Sequence, residues 1–254
     1  MAGPRVAVIG TGGTISSVGR HGLDLVAYLE NNKIYEVDEL LNAFPETLDQ
    51  GDVVPVRLRA MPSTAIGPAE WLEINEKIHQ LVNEDPALQG IVVTHGTATL
   101  EETAYFLNLV AKVEVPVVLV GAQRPASGMG TDSGINLVNA IRTAGHPDSR
   151  GRGVLGVLND EIHFSRDMTK TSTLRQQTFK SPDFGLLGHA DWDKVAYYRM
   201  PERRRAPDTE FDVRGMTDLP RVDLSMTYAG SDGTAIDAFV EAGAKGIVVG
   251  AMAP

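Results

Sequence analysis

Along roughly the first 160 residues, short continuous apolar runs alternate with longer stretches whose apolar positions recur at helical spacing. Val6, Ala7, Val8 and Ile9 form one run that ends in glycines. Residues 52–59 carry Val53, Val54, Val56 and Leu58, and residues 90–94, 115–120 and 153–158 are further runs rich in β-branched side chains. Their length and composition predict strands. Between them, Pro68 opens a segment in which Trp71, Ile74, Ile78 and Leu81 fall on one helical face. Thr99 and Glu102 have the spacing of a capping box and predict a helix through Ala104, Leu107 and Lys112. Residues 133–144 read as another helix, and 161–164 as a strand returning onto 153–158. Strands that are apolar along their whole length need cover on both faces. The pattern therefore predicts an α/β fold, a parallel sheet flanked by helices in a large N-terminal domain.

The pattern breaks between Met200 and Leu219, where Pro201, Pro207, Pro220 and the run Arg203, Arg204 and Arg205 sit among acids. That composition reads as a polar linker rather than a nucleic-acid patch. Beyond it, 222–228, 234–242 and 246–250 predict strand, helix and strand. The expected organisation is an N-terminal α/β domain over 1–200, a linker over 201–220, and over 221–254 the start of a smaller, apparently truncated α/β domain.

Composition narrows the function. The chain has 254 residues, room for one or two domains at roughly 150 residues each. Its 43% apolar and 22% charged residues are ordinary for a globular protein. Lys and Arg number 23 against 33 Asp and Glu, a net charge of −10, which argues against nucleic acid or an anionic membrane as partner. With no cysteine, disulfides, thiolate nucleophiles and cysteine metal sites are excluded. The six histidines form no helix-spaced pair such as H-E-x-x-H, so neither metal nor cofactor is expected. The first residues lack a signal-like apolar region, and no stretch approaches the ~20 apolar residues of a membrane span. A cytoplasmic protein is expected.

In open parallel sheets ligands bind beyond the carboxyl ends of the strands. Loops delivered there are Gly10-Thr11-Gly12-Gly13-Thr14-Ile15, His95-Gly96-Thr97-Ala98-Thr99 and Ser165-Arg166-Asp167-Met168-Thr169-Lys170-Thr171. The first fails as a dinucleotide fingerprint, because Ile15 stands at the third glycine position, and no Gly-Lys-Ser/Thr follows to make a phosphate loop. Its threonines instead present hydroxyls at the sheet edge. A hydroxyl nucleophile needs a base or cation nearby. Thr97 lies just before a predicted helix N-terminus, which favours developing negative charge. Lys170 sits among threonines in a loop without glutamates, where desolvation would lower its pKa and let it accept a proton. Taken singly, Thr97 reads more readily as a helix cap and Lys170 as a solvated surface lysine.

Together these segments resemble the bacterial-type L-asparaginase and glutaminase family. Thr11-Gly12-Gly13-Thr14-Ile15 is similar to its first signature, and His95-Gly96-Thr97 with Thr99-Leu100-Glu101-Glu102-Thr103 to its second. Val120-Gly121-Ala122-Gln123-Arg124-Pro125 with Asp132, Asn136 and Leu137 resembles the next segment, and Arg166-Asp167 with Thr169-Lys170-Thr171 the lysine-bearing loop. The resemblance runs through essentially the whole chain in the right order. It implies hydrolysis of a side-chain amide through a threonine acyl-enzyme, with release of ammonia. It further implies Thr14 as nucleophile of one site, assisted by a lid tyrosine for which Tyr28 is the positional candidate. Thr97 and Lys170 form a second site, Ser63 holds the substrate carboxylate, and Gly13, Gly96 and Ala98 complete the binding surface. A homo-oligomer, dimer or tetramer, is also implied.

The chain departs from the family pattern at Ala98, where relatives carry an aspartate that binds the substrate's α-ammonium. The segment Tyr228-Ala229-Gly230-Ser231-Asp232 lacks an asparagine found in many relatives, and the chain ends before a further acid that some of them carry. Either Asp24 or Asp132 substitutes, or the substrate lacks that ammonium. The expectation is thus an amidohydrolase acting on L-asparagine, with glutamine as a further candidate. The alternatives are an amidase for an amide or imide without a free α-amino group, and a non-catalytic binding relative.

Overall fold

The computed structural model describes residues 3–253, which divide into two compact units, 3–214 and 215–253. In chain order the first unit contains β1 (Arg5–Gly12), α1 (Val37–Ala43), β2 (Asp52–Met61), α2 (Pro68–Glu84), β3 (Gly90–Thr94), α3 (Leu100–Val110), β4 (Val117–Val120), α4 (Ser133–Gly145) and β5 (Val154–Leu158). It continues with β6 (Glu161–Phe164), β7 (Thr169–Lys170), β8 (Phe179–Lys180), β9 (Gly188–Ala190) and β10 (Val195–Tyr197). The second unit has β11 (Val222–Met226), α5 (Thr234–Glu241) and β12 (Gly246–Gly250), its two strands pairing in parallel.

The main sheet has the order β10-β9-β6-β5-β4-β3-β1-β2. From β2 to β5 all pairings are parallel, as the apolar runs predict. β6 returns antiparallel onto β5, and β9 and β10 extend that side antiparallel. These last strands are three residues long, too short for a periodicity to reveal.

Strand alternation sorts the core onto two faces. Val6, Val8, Val92, Val118 and Leu155 pack with Leu137 and Ile141 of α4 and Leu40 of α1. Ala7, Ile9, Ile91, Val93 and Leu119 pack with Ile74 and Ile78 of α2 and Leu100, Ala104 and Leu107 of α3. This two-sided burial fixes the strand register and with it the place where β1 and β3 end, side by side, with Gly10 opposite Thr94.

Two local expectations change. Thr99 occupies the N-cap of α3 but makes no side-chain cap; its hydroxyl donates to Ser63 O at 2.8 Å. Tertiary contact thus takes the group that the capping-box spacing would use locally. The helix also ends at Val110, which frees Lys112 to reach across to Pro207 O (3.2 Å) and Thr209 Oγ1 (2.6 Å). With Ala206 buried against the α3 face of the core, part of the polar stretch 201–220 is thereby attached to the first unit.

Candidate functional site

β1 runs into Gly12 and Gly13, both with positive φ (89° and 83°), a conformation that L side chains rarely adopt. A Cβ on Gly13 would collide with the backbone of Gly96, so the loops after β1 and β3 touch backbone to backbone. A Cβ on Gly96 would in turn lie 2.6 Å from Ser63 Oγ. Three segments far apart in sequence are thereby pressed together at the carboxyl edge of the sheet. Glycine is required at the two contacts.

The side chains that follow these glycines converge. Thr14 Oγ1 is 2.7 Å from Tyr28 Oη, and Lys170 Nζ donates to Thr97 Oγ1 at 2.7 Å. Gly13, Thr14, Tyr28, Ser63, Gly96, Thr97, Ala98 and Lys170 all line one cavity of about 200 Å³. Tyr28 reaches it from the segment between Val18 and Lys33, whose ends are held together. That segment is pinned at its base by Val18 N to Lys33 O (2.9 Å) and Tyr35 N to Ser16 O (2.8 Å). Its outer attachment is Met129 N to Gly22 O (2.7 Å). Leu25, Val26 and Leu29 of the same segment, with Leu174, give the opening an apolar rim.

Behind the β3 loop lies a closed hydrogen-bond relay. His95 Nδ1 donates to Gly96 O (2.8 Å), its Nε2 accepts from the Thr103 hydroxyl (2.9 Å), and that oxygen accepts from Trp71 Nε1 (2.8 Å). Trp71 is stacked on Phe106 at 5.2 Å between centroids. His95 is fully buried, and desolvation pushes its pKa down to about 4, so the ring is neutral and its tautomer fixed by its partners. The relay holds the peptide that presents Thr97.

Lys170 is half-buried, and desolvation lowers its pKa from the ordinary lysine value. The sequence places no glutamate in its loop; the fold supplies one from elsewhere. Glu101, in the first turn of α3, accepts the Lys170 backbone N–H and, at 3.3 Å, the Thr169 hydroxyl, and its charge opposes the desolvation.

Neither acid considered as a stand-in at position 98 lines the cavity. Asp132 accepts from Gln123 N (2.9 Å) and Arg124 N (3.0 Å), and Asp24 accepts from Arg20 N (3.0 Å). Both carboxylates shape loops. Among the described residues lining the cavity, Lys170 is the one charged side chain. Sequence reading misses Thr64 and Gln123 as wall residues. Gln123 appears in a matched motif, and its Nε2 is buried without a partner, a signal visible only in three dimensions. No group of three or more His, Asp or Glu among the described residues is arranged to hold a metal ion. None of the described helices is long and apolar enough to cross a membrane.

A parallel α/β sheet with hydroxyl and amine groups gathered at its carboxyl edge has the architecture of a small-molecule site. Residues 5–203 match the family model described as Asparaginase, N-terminal. The chain belongs to the asparaginase family. It is 39% identical over 245 residues to L-asparaginase 2 of Bacillus subtilis, covering 96% of this chain and 64% of that one. To L-asparaginase 2 of Escherichia coli it is 39% identical over 250 residues, covering 98% of this chain and 70% of that one. A solved Campylobacter jejuni structure, named a probable cytoplasmic L-asparaginase, superposes with a TM-score of 0.87 at 36% identity. That match covers 97% of this chain and 73% of the other. The chain spans about two thirds of the length of the curated relatives it matches.

Proposed function

We propose that the protein is an asparaginase-type amidohydrolase that cleaves a side-chain amide, that of L-asparagine and by extension glutamine, through a threonine acyl-enzyme. One observation carries this: two threonine hydroxyls, each 2.7 Å from a polar partner, open on the same cavity. The relatives' names support the substrate class.

In the proposed reaction the hydroxyl oxygen of Thr14 or Thr97 bonds to the amide carbon. The proton leaving Thr97 has a short path to Lys170 Nζ, whose desolvation favours the neutral amine that can accept it, and that leaving Thr14 passes to the Tyr28 oxygen as the phenol gives up its own. Collapse of the adduct breaks the C–N bond, and the departing nitrogen takes that proton and leaves as ammonia. Water then adds to the ester and the acyl–oxygen bond breaks, restoring the threonine. The N-terminus of α3, just beyond Thr97, favours the negative charge of the adducts.

A second reading is favoured by the lining: with Ala98 present and Lys170 the one charged group on the wall, the cavity offers an α-ammonium no carboxylate. An amide lacking that ammonium would then be the better substrate. A panel of asparagine, glutamine, des-amino amides and cyclic imides, read by ammonia release or ring opening, separates the two. Ammonia from asparagine supports the first, turnover confined to the other compounds the second, and turnover of none contradicts both.

A further inference from the structure

Outside the residues that line the cavity, the Glu101 carboxylate reaches the lysine of the threonine–lysine pair. Glu101 bridges α3 and β7: one carboxylate oxygen accepts the backbone N–H of Lys170, the other the hydroxyl of Thr169 at 3.3 Å. The loop leading into α3 carries Thr97 and β7 carries Lys170, so the bridge joins the two elements that supply the 2.7 Å Lys170–Thr97 contact. We propose that Glu101 is a positioning residue for this pair, clamping the lysine's backbone against the threonine-bearing helix and setting a carboxylate charge beside the lysine. The proposal rests on the amidohydrolase reading only for its kinetic readout.

The charged groups on β8 and in the turn before β7 are engaged elsewhere. Lys180, across the hairpin on β8, lies 3.5 Å from Glu161 on β6, and Asp167 is 3.2 Å from Arg199. Arg166 donates to the Tyr105 hydroxyl of α3, and on the opposite wall Tyr28 is bonded to Thr14. Glu101 is thus the carboxylate that acts on Lys170, where burial favours the neutral amine and Glu101 the charged one. The balance matters because an ammonium cannot take the proton of Thr97. An anion close to a lysine raises its pKa, and removing that anion lowers it.

The test separates charge from shape. Glu101→Gln keeps an acceptor for the Lys170 N–H and removes the charge. The acid limb of kcat/KM is expected to move to lower pH by ~0.5–1 unit. Glu101→Asp, which retains the charge, is expected to keep the wild-type limb. Glu101→Ala, which loses clamp and charge, is expected to lower kcat by ~10-fold or more through misplacement of the amine. A second readout needs no turnover: the pH dependence of Lys170 acylation by an amine-reactive reagent, followed by mass spectrometry with Lys170→Met as blank. Acylation of the Gln variant is expected to set in at lower pH than in the wild type. Coincident acylation curves for wild type and Glu101→Gln overturn the proposal, as does an aspartate variant that titrates like the glutamine one. If no amide is hydrolysed, the function proposed above fails while the acylation curves still decide the role of Glu101.

Discussion

At Thr14, Thr97 and Lys170 the side chain's chemistry can be separated from its packing. Each of the two threonines carries a hydroxyl bonded to a group on the cavity wall. Thr14→Ala and Thr97→Ala are each expected to reduce turnover by at least ~10²-fold, since each removes a hydroxyl proposed to react. Circular dichroism should show the fold intact. Near wild-type kinetics in either variant would remove that threonine from the mechanism. Lys170→Met is expected to show a similar loss together with loss of alkaline activation, because it deletes the proposed base. Ala98 makes a sharper case. A carboxylate there would give a substrate α-ammonium a charge-assisted partner worth ~1.5–3 kcal/mol, or about ten- to a hundredfold in binding. Ala98→Asp is therefore expected to lower the KM for asparagine by that factor and to leave a des-amino amide unchanged or worse. Equal responses of the two substrates would show that position 98 does not face the ammonium.

At the scale of elements, what the sequence reveals follows from burial. The strands over 90–94 and 246–250 and the helix opening at Pro68 are legible because uninterrupted β-branched runs and a helical apolar stripe leave little choice of conformation. Thr99 is not legible in the same way. Its local spacing points to a cap, whereas its hydroxyl binds Ser63 O, a partner 36 residues away. Glu101 and Gln123 are hidden for the same reason, since what they do depends on contacts across the fold. The glycines lie between these cases: their presence at a strand end is visible, their partners are not. Gly13 and Gly215 both have positive φ, 83° and 80°, but only Gly13 has another backbone against it, while Gly215 has nothing within 4 Å. Alanine at Gly215 is expected to cost about 1 kcal/mol, the conformational strain alone. Gly13→Ala is expected to cost at least ~2 kcal/mol more and to abolish activity, because the β1 and β3 loops must separate. Urea unfolding of the two variants measures the difference, and equal destabilisation would mean that the loops yield without cost.

At the scale of the whole molecule the predictions concern assembly and pH range. The resemblance implies a homo-oligomer, which light scattering should detect; a fully active monomer would contradict it. The pH range of stability follows from one fully buried and one partly buried group that the fold keeps neutral. His95 titrates near 4 in the folded protein against about 6.5 when unfolded, because burial penalises its charged form. Between those values the unfolded chain binds more protons, so stability falls as pH drops from about 6.5 to about 4, by roughly 3 kcal/mol in total. Tyr197 on β10 has the opposite sense. Burial pushes its phenol up to about 12 from 10, with its hydroxyl 2.6 Å from Ser149 Oγ. Its share of stability is complete below pH 10 and declines as pH rises towards 12, because there the unfolded chain has already lost the proton, a loss of about 2–3 kcal/mol. Denaturant unfolding across pH should therefore give a plateau with both limbs descending outside it. His95→Gln is expected to be less stable than the wild type at neutral pH, through loss of the relay, yet to show a shallower acid limb. Tyr197→Phe should flatten the alkaline limb and leave the acid limb in place. Limbs that keep their wild-type slopes in both variants would assign the pH dependence to the surface ion pairs instead, and high salt would then reduce it, since exposed pairs are screened and a desolvation penalty is not.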